Sequence, residues 1–268
     1  MSQPPPSVSP PRLPPSGGQP DRQPWRARWL QVAGRISDPE VAAALEARLD
    51  DPADRELLAA VFAMSPFLAD CLLAEPGLLL TYRDAGPAAL VEAEIGAIDE
   101  LPLDRNRMLP GLRRAKRRVA LAIGLADLEG ALDLGQVTAG LTRLADRATE
   151  AVLATFLVEA AKRGEIELAD PQTPTRDCGI FVVGMGKLGA GELNYSSDID
   201  LIVFFDPERI AYTGRETPMA LAVRAARAIV YGLENKTREG YVFRTDLRLR
   251  PHPPGHPLAL SVDAAELY

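Results

Sequence analysis

The sequence predicts an α+β protein in which a helical N-terminal region is followed by a mixed sheet with flanking helices. Three observations lead there. From Trp25 to about Gly164, apolar residues recur at helical spacing between proline-led starts. At 169–176 two prolines and short polar residues break that pattern. Beyond the break come short Val-, Ile- and Phe-rich runs of the kind that favour strands, with one helical pattern among them.

Residues 1–24 hold nine prolines and only one leucine and one valine. Such a segment buries too little apolar surface to offset its ordering entropy, so it reads as a disordered tail rather than a ligand for aromatic-grooved modules. The helical region spans 25–168. Its helices start at sequences such as Ser37-Asp38-Pro39-Glu40 and Asp51-Pro52-Ala53-Asp54, where a capping side chain precedes proline, and six or seven helices are expected. The longest, about Gly135 to Arg163, sets Leu141, Leu144, Ala148, Val152, Thr155 and Val158 near a 3.6-residue period and is expected to pack along the second domain. Arg113, Arg114, Lys116, Arg117 and Arg118 form a basic cluster beside the stripe Leu112, Ala115, Val119 and Ala122. It reads as a solvated face pairing with neighbouring acids, or as a dock for an acidic partner.

After a linker at 169–176, a second domain covers 177–268. Strands are expected at Cys178 to Val183, Ile199 to Phe205 and Tyr241 to Leu249, with a helix from Pro218 to Leu233. The chain stops at Ala264-Ala265-Glu266-Leu267-Tyr268, within what reads as the first turn of another helix, so the second domain is expected to be incomplete at its C-terminus.

Composition narrows the function. With 47% apolar and 25% charged residues the chain can build ordinary cores, and a net charge of −7 argues against a protein that coats nucleic acid. Cys71 and Cys178 are far apart and lack metal-site spacing, which fits a reducing compartment. No apolar run is long enough to span a bilayer and no signal peptide is apparent, so a soluble, cytoplasmic protein without membrane or nucleic-acid partners is expected.

The chemistry concentrates in Gly184 to Leu201. Asp198 and Asp200, at i and i+2 where a strand begins, emerge on one face while Ile199, Leu201, Val203 and Phe205 face the other way. Two like charges about 4 Å apart repel by about 4 kcal/mol at an effective dielectric near 20, and a divalent cation is the simple offset. The alternative is a solvated Asp pair capping a strand. The third strand would set Arg244, Asp246, Arg248 and Arg250 opposite Phe243, Thr245, Leu247 and Leu249. Beside the first carboxylate strand, Asp246 would join Asp198 and Asp200 in a three-carboxylate cradle for two metals. The arginines would then bind phosphate oxygens, or else form a surface ladder of ion pairs.

Gly184-Met185-Gly186-Lys187-Leu188-Gly189 also matches a dinucleotide-binding fingerprint, with Asp206 downstream. The stretch Ala190 to Asp198 is too short for the helical crossover that fold requires. His252 and His256 flank Pro253-Pro254-Gly255, which forbids a helical metal-binding pair, and Cys178 reads as an inert strand cysteine.

Together, Gly184-Met185-Gly186-Lys187-Leu188-Gly189, Glu192-Leu193-Asn194-Tyr195-Ser196-Ser197-Asp198-Ile199-Asp200-Leu201 and Asp246-Leu247-Arg248-Leu249-Arg250-Pro251 resemble the bacterial glutamine synthetase adenylyltransferase family of the polymerase-β-like nucleotidyltransferase superfamily. The resemblance covers about Trp25 to Tyr268, with Ala190 where the family often has glycine. It implies a polymerase-β-like sheet and a tandem of two such units, the first removing AMP from a tyrosine of glutamine synthetase and the second attaching it. The long helical N-terminus and Asn194-Tyr195 make this chain similar to the first, deadenylylating unit, lacking its remainder and the second unit.

By the same resemblance, Asp198, Asp200 and Asp246 would hold Mg²⁺, while Gly184, Gly186, Lys187, Ser196, Ser197, Arg248 and Arg250 would shape the nucleotide and phosphate site. Phosphate would attack the AMP phosphorus to give ADP and free tyrosine. Implied partners are glutamine synthetase, ATP or ADP, phosphate and a PII-type signal protein. Two further classes stay open: a nucleotidyltransferase for another protein, and a non-catalytic module binding glutamine synthetase or a PII-type protein.

Overall fold

The computed structural model describes residues 24–249 and 257–266. The proline-rich tail before Pro24, Arg250, His252 and His256 lie outside them. The N-terminal half is helical: α1 (Pro24–Ala33), α2 (Pro39–Ala47), α3 (Pro52–Met64), α4 (Pro66–Ala74), α5 (Leu78–Ala85), α6 (Pro87–Gly96), α7 (Arg105–Leu128) and α8 (Leu134–Lys162). The starts follow local chemistry. Asp38 Oδ1 accepts from Glu40 N at 2.9 Å and Asp51 Oδ1 from Ala53 N at 2.8 Å, each ahead of a proline in the first turn. Such caps are worth about 1 kcal/mol each. These are more helices than the six or seven expected, because Pro66, Pro76-Gly77 and Gly86-Pro87 cut the stretch after α3 into short pieces.

The described chain forms two compact units. One is built from residues up to Glu92 together with Arg118–Val137, and the other from Ala93–Arg117 and the residues from Thr138 onward. In the first, Trp29 is fully buried and its Nε1 donates to Leu45 O at 3.0 Å. Asp54, fully buried, sits between Arg48 (3.3 Å) and Arg83 (2.5 Å). Arg83 also forks onto Glu129 (2.7 and 3.0 Å), which accepts the Tyr82 hydroxyl at 2.7 Å. A buried carboxylate is tolerated there because two guanidinium groups neutralise it.

The second unit contains the sheet. Strand β1 (Ile180–Met185) runs antiparallel to β2 (Ile199–Phe205), pairing Ile180 with Phe205 and Met185 with Asp200. Strands β3 (Thr245–Asp246) and β4 (Ala259–Ser261) both run parallel to β2, which is therefore central. Ile199, Leu201, Val203 and Phe205 are at most 2% exposed, as the alternation requires. A single turn, α9 (Gly186–Gly189), follows β1, and α11 (Val262–Glu266) follows β4. Helix α10 (Pro218–Glu234) buries Leu221, Ala222, Ala225, Ala226, Ile229 and Leu233. A side chain at Gly232 would come within 2.7 Å of Val152, so α8 packs closely on α10.

Three expectations need correction. The first strand begins at Ile180 rather than Cys178, because Asp177 (φ 53°) and Gly179 (φ 73°) are in the left-handed region, which a strand excludes. The third strand is only Thr245–Asp246. The N–H groups of Val242 and Phe243 donate to Leu233 O at the end of α10, and Asp246 turns back to accept from Arg248 N at 2.7 Å, so neither flank continues the ladder. The basic cluster is a solvated, acid-pairing face only in part. Arg113 is buried and donates to Asn235 O at 3.2 Å, Lys116 lies over the Tyr241 ring, Arg118 pairs with Glu75, and Arg114 is exposed. Among the described residues no helix is long and apolar enough to cross a membrane.

Candidate active site

The glycine-rich segment opens where β1 ends. Gly186 has φ 54°, and a Cβ there would stand 2.7 Å from Asp200 Oδ2. Only glycine lets that carboxylate lie against the backbone at this point. The neighbouring glycines serve packing: a Cβ at Gly184 would meet Leu188 at 2.8 Å, and one at Gly189 would meet Gly184 O at 2.5 Å. Gly184 also lines a cavity of about 340 Å³ with Asp146, Glu150 and Thr175. The antiparallel pairing of β1 with β2 excludes the dinucleotide reading, which needs parallel strands.

Asp200 pairs with Asp246 across the parallel ladder, so their Cα atoms are neighbours at roughly the 4.8 Å interstrand spacing. Asp198 precedes Asp200 by one alternation and is exposed, whereas the Asp246 side chain is only 18% exposed. Arg244 Nε bonds Asp198 Oδ1, and Arg244 Nη2 donates to Ser196 O at 2.8 Å. Arg248 grips Asp246 through Nε (2.9 Å) and Nη2 (2.5 Å). These bonds raise both guanidinium pKa values, and Asp198 and Asp200 add to the effect on Arg248.

The backbone thus gathers the three carboxylates at adjacent positions without merging them into a preformed cradle. Among the described residues, no three Asp, Glu, His or Cys side chains converge closely enough to hold a metal ion. The like charges are offset by guanidinium groups, as the ion-pair alternative anticipated. The donor set nevertheless suits a hard divalent cation in kind, because Asp198, Asp200 and Asp246 are three carboxylates at adjacent positions.

The remaining candidates lie around this centre. Lys187 is exposed on α9. The Ser197 hydroxyl donates to Asn194 Oδ1 at 2.7 Å, and Ser196 supplies the carbonyl held by Arg244. A cleft of about 870 Å³ is lined by Asp198, Asp246 and Arg248, with Arg227, Tyr231, Glu234 and Lys236 among the other residues. Glu234 Oε1 accepts from both the N–H and the hydroxyl of Thr245 at 2.7 Å, fixing the residue before Asp246. Sequence reasoning missed this wall, although a signal was present: Arg227, Tyr231 and Glu234 recur at i, i+4 and i+7 as a polar stripe on an otherwise apolar helix. The Arg105 guanidinium covers the Tyr231 ring at 4.4 Å. Cys178 is no nucleophile: its thiol donates to Ile180 O at 3.1 Å, and burial pushes its pKa up.

Residues 55–268 match the family model described as glutamate-ammonia ligase adenylyltransferase. The chain is 40% identical over 235 residues to the bifunctional glutamine synthetase adenylyltransferase/adenylyl-removing enzyme of Bradyrhizobium diazoefficiens, covering 86% of this chain and 24% of that protein. The proteins of the same description from Rhizobium meliloti (40% over 222 residues; 80% and 22% covered) and Mesorhizobium japonicum (42% over 220 residues; 81% and 22% covered) are similar to it as well. The chain spans about a quarter of the length of these relatives.

Proposed function

The chain belongs to the glutamate-ammonia ligase adenylyltransferase family, and from that membership we propose that its second unit carries a nucleotidyl-transfer site acting on glutamine synthetase. The direction proposed is removal of AMP from an adenylylated tyrosine by phosphorolysis. The observation that carries the reading is the register that sets Asp246 beside Asp200, with Asp198 two residues ahead at the entry to β2. The relatives' description, which joins adenylyltransferase and adenylyl-removing activities, supports glutamine synthetase as the substrate and adenylyl transfer as the class of reaction.

Asp198, Asp200 and Asp246 are the proposed ligands of Mg²⁺. When bound, the ion supplies charge to stabilise phosphoryl oxygens and the departing phenolate. The chain's own groups do the rest. Gly186 allows close backbone approach, Lys187, Ser196 and Ser197 edge the nucleotide site, and Arg248, once released from Asp246, would offer its planar fork to phosphate oxygens. Arg250 has the same proposed role.

A phosphate oxygen forms the new bond to the AMP phosphorus as the tyrosyl O–P bond breaks, giving ADP and free tyrosine. Phosphate is already anionic, so no general base is needed, and the leaving phenol has an ordinary pKa near 10. In the longer proteins of the family, a second unit would add AMP from ATP. A PII-type signal protein is the proposed regulatory partner, and the cytoplasm the proposed setting.

The test is ADP release from adenylylated glutamine synthetase with Mg²⁺ and phosphate. Asp200→Asn should abolish it without lowering the melting temperature. Retained turnover in that variant removes the assignment.

A further inference from the structure

Arg244 bridges two parts of the site. Its Nε holds Asp198 Oδ1 and its Nη2 holds the Ser196 carbonyl at 2.8 Å, so one side chain ties the first carboxylate to the loop that precedes it. Its backbone is fixed separately, because Ile199 N donates to Arg244 O at 2.9 Å. The side chain itself is 56% exposed and that of Asp198 50%. The guanidinium can therefore leave Asp198 without disturbing the core.

A divalent cation that takes Asp198 must compete with this guanidinium. The two charges, about 5 Å apart in water-like surroundings, repel by enough to change an affinity roughly tenfold. Arg248 differs, because it grips Asp246 inside a local turn that its own backbone N–H also closes.

We propose that Arg244 is the resident counter-ion of Asp198, a positioning residue that neutralises the carboxylate and holds the Ser196 loop until a divalent cation displaces it, and so sets the affinity for that cation. The proposal rests on the reading that Asp198, Asp200 and Asp246 hold a divalent cation.

Mn²⁺ binding to the chain, followed by electron paramagnetic resonance and calorimetry, tests it without reference to turnover. Arg244→Gln is expected to tighten Mn²⁺ about tenfold, and Arg244→Lys, which keeps a charge but loses the fork, by less. Arg227→Gln removes a guanidinium that lines the same cleft but makes no ion pair among the described residues; it is expected to change affinity by about twofold or less. Asp198→Asn should weaken binding sharply. Impaired binding in Asp198→Asn with unchanged or weaker binding in Arg244→Gln overturns the Arg244 proposal alone, as does equal tightening by Arg227→Gln. Undiminished binding in Asp198→Asn overturns the carboxylate reading and the proposal with it.

Discussion

Replacing Gly186 with alanine probes the contact on which the placement of Asp200 depends. The new Cβ would stand 2.7 Å from Asp200 Oδ2, and ordinary contact begins at 3.4 Å, so the carboxylate must retreat by about 0.7 Å. Misplacement of a reacting group by about 1 Å costs on the order of a hundredfold in rate, so ADP release is expected to fall by about ten- to a hundredfold. Alanine at φ 54° also carries left-handed strain of roughly 1–2 kcal/mol. Gly191 separates the two effects. Its φ is 75°, and a Cβ there meets nothing within 4 Å. Gly191→Ala therefore carries similar strain without touching Asp200. Both variants should melt a few degrees below the parent, at roughly 2–4 °C per kcal/mol for a domain of this size, but only Gly186→Ala should lose phosphorolysis and Mn²⁺ binding. Equal losses of activity in the two variants, or full activity in Gly186→Ala, would refute the reasoning.

In the helical unit, Asp54→Ala leaves the Arg48 and Arg83 guanidinium groups without their buried partner and is expected to cost about 3–5 kcal/mol in chemical denaturation. Glu165, which bonds Arg163 (3.0 Å) and Arg224 (2.7 Å), has its pKa lowered, chiefly by the Arg163 hydrogen bond. A carboxylate with a depressed folded pKa contributes stability above its ordinary range near 4.3 and loses it as the pH falls through the folded value. The melting temperatures of Glu165→Gln and the parent should therefore differ at pH 6, by the equivalent of less than about 1 kcal/mol, and converge near pH 3. Glu234→Ala, which frees Thr245, should lower the rate constant for ADP release while leaving the binding of adenylylated glutamine synthetase unchanged, and Glu234→Gln, which can still accept from Thr245 N, should restore most of it.

What was legible in the sequence was what adjacent residues decide. Strand Ile199–Phe205 and helix Pro218–Glu234 follow from period and capping, with Thr217 Oγ1 accepting from Ala220 N at 3.2 Å at the helix start. The Asp-Pro starts of α2 and α3 work in the same way. The carboxylate pair was legible because two acids at i and i+2 on an apolar strand are conspicuous. The failures have distant causes. The alternation of Phe243, Thr245, Leu247 and Leu249 suggests a strand, yet the N–H groups of Val242 and Phe243 are taken by Leu233 O, a partner that only the fold supplies. The arginine run likewise reads as solvent-facing until Asn235 O arrives against Arg113. Arg244 and Arg248 were visible as cations, but which acid each would hold depends on how the strands align.

The way β3 is tethered has a mechanical consequence. Asp200 rides on the central strand and Asp198 sits just before it, while the segment carrying Asp246 is tied both to that strand and, through Leu233 O and Glu234 Oε1, to the last turn of a helix. Any shift of that turn therefore loads the short segment 242–246 and strains the register that sets Asp246 beside Asp200. The placement of Asp246 thus depends on the C-terminal turn of α10 as well as on the sheet.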